Sequence, residues 1–167
     1  LSKAIEVEEN FAIHVIENGT VDAVVLDCPY NLGEADEEGL VIYWLQENNP
    51  IPVYQWIQGG KPQATGVWGD RLDLGYKASE ERFHIHRALR ILNPTTELTG
   101  EYQCRISSFV DEKIILRKLI VYSRPESVRT WAEEEGEDNL KVVCEVDGIY
   151  PEPELQLNMM NEENGDR

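Results

Sequence analysis

Thiols and imidazoles are the side chains with chemistry to offer, and both are few: three cysteines and three histidines in 167 residues. Cys28 sits in Val24-Val-Leu-Asp-Cys-Pro-Tyr30 and Cys104 in Gly100-Glu-Tyr-Gln-Cys-Arg-Ile106, 76 positions apart, with Trp44 between them. Each lies in an apolar-alternating run with the cysteine on the inward side. The chemistry this implies is oxidation to a bridge between two packed sheets, and a bridge implies an oxidising compartment. Cys144, in Lys141-Val-Val-Cys-Glu-Val146, reads as half of a second such bridge, its partner expected beyond Arg167. A free reactive thiol is the competing reading, but its neighbours are valines and acids, and no cationic cluster adjoins it to lower the thiol pKa.

His84-Ile85-His86 would place two imidazoles on one face of a strand, and His14 stands apart. A metal site needs a third or fourth converging ligand, which nothing signals. No nucleophile elbow, phosphate-binding glycine loop or Cys-x-x-Cys pair is present, so no catalytic residue and no cofactor is expected. Asn18-Gly19-Thr20 is an N-glycosylation sequon, and the Asn-Gly pair also favours a tight turn, which would expose the asparagine. Asn93-Pro94-Thr95 has proline in the forbidden place.

The formal charge is −17. Residues 1–124 carry 19 acidic and 12 basic side chains, and residues 125–167 carry 13 and 3. Neither half has the Lys/Arg clusters that nucleic acid or anionic lipid requires. The acidic runs Asp36-Glu37-Glu38 and Glu133-Glu134-Glu135 lack the ligand spacing of a calcium loop and read as solvated surface. No apolar stretch is long enough to span a membrane, and the first residues do not form a leader, so attachment to a membrane is expected only through an anchor outside this chain.

The elements that position these residues are strands. Short Val/Ile/Leu/Tyr-rich runs recur between Gly, Pro and Asn breakers, and no helical period persists. Strands are expected at 4–8, 12–16, 23–29, 40–46, 52–57, 71–74, 87–92, 100–107 and 113–122. The material between Trp44 and Arg71 is where extra edge strands would sit. Proline at 125 marks a linker at 123–126, separating a first domain, 1–122, from the front part of a second, 127–167. In that second part strands are expected at 128–132, 140–146 and 154–159, a bend at 148–153, and a loop at 161–167.

Alternation sorts the faces. Leu89 and Ile91 are core. Tyr102, Cys104 and Ile106 point inward, leaving Gln103, Arg105 and Ser107 outward. Tyr102, two residues before the cysteine, is expected to bond backbone through its hydroxyl. With Trp44 in the core, Tyr43 and Leu45 face out. Tyr54 and Trp56 share a face of 52–57, which is either an interface or a cap on the sandwich edge against the loop 59–69. Trp68, between glycines, is either a binding anchor or loop packing. Arg71 or Arg82 could send a guanidinium to the base of the sandwich, where Thr99 holds the partner position and a Thr-to-Arg hydrogen bond would replace an ion pair.

Cys28, Trp44, Leu89-Arg90-Ile91 and Thr99-Gly100-Glu101-Tyr102-Gln103-Cys104 together resemble a variable-type immunoglobulin domain. Cys144-Glu-Val-Asp-Gly-Ile-Tyr-Pro-Glu-Pro-Glu-Leu155 is similar to the membrane-proximal domain of two-domain surface receptors. The expected fold is therefore all-β: an immunoglobulin-like β-sandwich of the V-set followed by a partial second domain. Ile42-Tyr43-Trp44-Leu45-Gln46 followed by Val53-Tyr54-Gln55-Trp56-Ile57 also resembles the beaten-path family of arthropod receptors, with Tyr43, Gln46 and Gln55 replacing that family's basic residues. The resemblance implies an extracellular, cell-surface recognition protein. It would bind an immunoglobulin-superfamily partner, heterophilically, through Tyr43, Leu45, Tyr54, Trp56, Gln103 and Arg105. A secreted immune-recognition or decoy protein is the alternative reading.

Overall fold

Period-two alternation builds the molecule. A computed structural model describes residues 4–8, 11–136 and 139–158. The chain divides into two compact units, Leu1–Val121 and Tyr122–Arg167. In the first, the described strands are β1 (Glu6–Val7), β2 (Ala12–Glu17), β3 (Ala23–Leu26), β4 (Tyr30–Asn31), β5 (Val41–Gln46), β6 (Tyr54–Ile57), β7 (Gln63–Ala64), β8 (Leu89–Leu92), β9 (Gly100–Ser107) and β10 (Glu112–Tyr122). The second has β11 (Ser127–Glu134) and β12 (Leu140–Asp147).

A six-stranded front sheet runs β2-β10-β9-β5-β6-β7, faced by the β3–β8 pair, with β1–β4 as a further short pair. The extra edge strands expected between Trp44 and Arg71 are β6 and β7. The strand expected at 71–74 is reduced to one bridge, Leu72 to Ile91, because Asp70-Arg71 and Leu74-Gly75 are taken up by turns. The strand expected at 87–92 starts at Leu89, so His84 and His86 lie in turns and not on one strand face.

Leu26, Ile42, Trp44, Leu89, Ile91, Tyr102 and Ile106 from both sheets are buried around the bridge of Cys28 to Cys104, whose Cα atoms are 6.2 Å apart. On the chain-entropy account, closing so long a loop contributes about 4 kcal/mol. Tyr102 donates its hydroxyl hydrogen to the Leu98 carbonyl at 2.8 Å, as expected of a tyrosine corner. Trp44 Nε1 donates to the Arg87 carbonyl, and Arg87 in turn grips Asp27 with two bonds of 2.9 Å.

The expected Thr99-to-Arg hydrogen bond does not form. Arg71 pairs with Glu97 at 2.5 Å, while Thr99 exchanges bonds with the Val121 backbone. The carboxylate sits two residues before Thr99, on a 3-10 turn that sequence spacing alone does not mark. Arg82 instead stacks over Phe83. Trp68 is buried and meets the Tyr102 ring edge-on, which makes it loop packing.

In the second unit, β11 and β12 form an antiparallel hairpin. One face carries Arg129, paired to Glu145 and Asp147, next to the cross-strand pair Trp131 and Val143. The other aligns Val128 with Val146, Thr130 with Cys144 and Ala132 with Val142. Cys144 is a free thiol, partly buried, 3.9 Å from the Thr130 hydroxyl. Ser123 exchanges backbone bonds with Tyr150, which lies within the expected bend. No strand forms over 154–158; position 159 and the loop expected at 161–167 lie outside the described residues.

Candidate protein-binding face

The register of the front sheet decides which side chains can meet a partner. Antiparallel neighbours directly opposite each other share a face. Trp44 is opposite Cys104, and Cys104 is opposite Ile115, so this row points into the sandwich. The rows to either side therefore point out. One aligns Tyr43, Arg105 and Ile114; the other aligns Leu45, Gln103 and Leu116. Four of the six residues expected at the interface, Tyr43, Leu45, Gln103 and Arg105, stand together here.

Tyr54 and Trp56 do not. Tyr54 lies opposite Trp44, and Trp56 opposite Ile42, which places both on the core face. They are 3% and 1% exposed. The Tyr54 hydroxyl donates to the His86 carbonyl at 2.8 Å, and Trp56 Nε1 to the Gly60 carbonyl at 3.3 Å. Burial and the loss of solvent around its hydroxyl push the Tyr54 pKa upward. The alternative of an edge cap against the 59–69 loop holds for Trp56. The outward residues of β6 are Gln55 and Ile57, reversing the expected assignment. The parity of β6 follows from Trp44 only once the hairpin register is known, and the loop 47–53 does not announce it.

The sheet's other side supplies what sequence reading passed over. Ile114 and Leu116 are 45% and 40% exposed on β10. Next to them, β2 turns Ile16 toward the core and leaves Phe11, Ile13 and Val15 about half exposed. The signal was present as alternation in Phe11-Ala-Ile-His-Val15. A groove of ≈ 320 Å³ between β10 and the segment leading into β2 is lined by Val7, Phe11, Ile114 and Leu116, among others. On this part of the face Arg105 pairs loosely with Glu112 at 3.8 Å.

Asn18 lies just past β2, exposed, in a turn closed by the Thr20 amide on the Glu17 carbonyl. Gly19 there has φ +75°, a conformation that suits glycine at the third position of a type II turn. His84 stacks on Tyr30 and His86 meets Trp56 edge-on, so the two imidazoles serve different contacts. Among the described residues no His/Cys/Asp/Glu group could hold a metal ion.

No protein-family model and no curated protein matches the chain. Solved structures do. The amphioxus IgVJ-C2 molecule matches with TM-score 0.55 at 20% identity, over 82% of this chain and 71% of that one. Bovine butyrophilin matches with TM-score 0.61 at 17% identity, over 90% of this chain and 69% of that one. The human B7-H4 IgV-like domain matches with TM-score 0.52 at 17% identity, over 72% of this chain and 98% of that one. The likeness is one of fold, an all-β immunoglobulin V-type sandwich with its cross-sheet bridge. These matches do not show the beaten-path likeness.

Proposed function

We propose that this chain is an extracellular recognition protein that binds another protein through the outward face of its six-stranded sheet. The observation that carries the reading is the pair of outward rows that hold Tyr43 with Ile114 and Leu45 with Leu116, beside Phe11, Ile13 and Val15, of which Phe11, Ile13, Val15, Ile114 and Leu116 are large apolar side chains left exposed. Exposed apolar groups gathered on one face mark an interaction site, whereas scattered ones do not. Gln103 and Arg105 lie in these rows and supply directional contacts. The face is an open sheet surface with a shallow apolar groove at its β10 side, a shape suited to docking.

The net charge of −17 opposes self-association and favours a different chain as partner. The V-type fold and the Cys28–Cys104 bridge support an extracellular setting. The β11–β12 hairpin is read as two strands of a second sandwich, with Cys144 as half of its bridge. Asn18, exposed on its turn, is read as a glycan site.

The test is a binding screen of the chain against a panel of cell-surface ectodomains, itself included, repeated with Leu116→Glu. A charge in the middle of a buried apolar contact is expected to weaken binding at least about tenfold. Undiminished binding by a folded Leu116→Glu protein overturns the assignment of this face.

A further inference from the structure

The two edges of the front sheet are built differently. β7 is two residues long and is preceded by Lys61 and Pro62, the usual means of keeping an edge from pairing. β2, at the opposite end, is six residues long and contains no lysine and no proline. Among the described residues no strand lies beyond it. It is the last strand in the sheet order, with Phe11, Ile13 and Val15 half exposed along it. An edge of this kind is a template for another strand.

We infer that β2 accepts an added strand from a partner protein: an extended segment with alternating large apolar residues, flanked by lysine or arginine. Pairing would satisfy the free edge through main-chain hydrogen bonds, while alternate side chains extend the apolar row of Ile13 and Val15. The flanking charge follows from the sequence around the edge. Residues 4–22 hold five carboxylates, Glu6, Glu8, Glu9, Glu17 and Asp22, and no lysine or arginine. A second copy of this chain would bring another acidic segment, and a chain of net charge −17, to the same edge. A basic-flanked strand is complementary to it.

Edge addition is separate from docking on the sheet face, and its test does not depend on that docking. The probe is a synthetic peptide alternating valine and threonine between lysine pairs, titrated into the whole chain. Two controls accompany it: the fully N-methylated peptide, which keeps side chains and charge but has no amide to donate, and a peptide with glutamate for lysine. The expected result is saturable binding of the first peptide, at least about tenfold weaker binding of both controls, and slowed hydrogen exchange of β2 amides. Absence of binding, or equal binding of either control, overturns the inference. So does protection of β2 that grows with protein concentration in the absence of peptide, which makes a second copy the occupant. The measurement on wild-type chain avoids any question of a variant's folding.

Discussion

Two ends of one sheet put their aromatic and aliphatic side chains to opposite uses. At the β6–β7 end, Tyr54 and Trp56 turn inward, are sealed by hydrogen bonds to His86 and Gly60, and the edge is short and guarded by Lys61 and Pro62. At the β2–β10 end, Ile13, Val15, Ile114 and Leu116 turn outward and the edge is long and unguarded. Both ends obey the same alternation, so hydrophobicity alone does not say which holds the fold together and which is available to a partner. Parity relative to Trp44 does.

The contrast can be broken most sharply by truncating one side chain at each end. Trp56→Ala removes a fully buried ring and is expected to destabilise the first unit by about 3–5 kcal/mol. Leu116→Ala, on the exposed side, is expected to change stability by no more than about 0.5 kcal/mol. Denaturant melts of both variants check this; a comparable loss in the two would mean that the outward row is part of the core.

A smaller effect sharpens the comparison through pH. His84 is half-buried against Tyr30, and its pKa is lowered from 6.5 chiefly by burial, then by the Arg87 guanidinium, against the opposing Glu81 and Asp27 carboxylates. His14, on the core-facing side of β2, is lowered by burial and by Arg117. For both, the unfolded chain takes up protons before the folded one does. Stability is therefore full above about pH 6.5 and declines as pH falls below it. Thermal melts between pH 7.5 and 5.5 should show a falling Tm, and His84→Gln should flatten part of the fall. A Tm unchanged over that range in the wild-type chain would contradict the burial of these rings.

Much of this was legible beforehand because certain residues admit one environment. Cys28, Trp44, Tyr102 and Cys104 set the sandwich, and β9 runs over the residues that alternation marked, with Gln103 and Arg105 outward. Tyr54 and Trp56 were misread because β6 follows a loop whose length leaves the strand's parity open, and a one-residue change in register exchanges the two faces. Phe11, Ile13 and Val15 were passed over for a related reason. An alternating apolar row specifies that one face is buried, and here the face carrying the larger residues is the exposed one, while Ala12, His14 and Ile16 face the core. Glu97 escaped notice because only the 3-10 turn at Thr96–Leu98 brings it to Arg71.

The central claim is that recognition is centred on the β2–β10 end of the front face. It is tested most directly by the affinity of a partner from the ectodomain screen for two folded double variants: Ile114→Glu with Leu116→Glu, and Gln55→Glu with Ile57→Glu at the other end. The account predicts at least about tenfold weakening by the first pair and less than about threefold by the second. Equal effects, or a greater loss from the β6 pair, would contradict it.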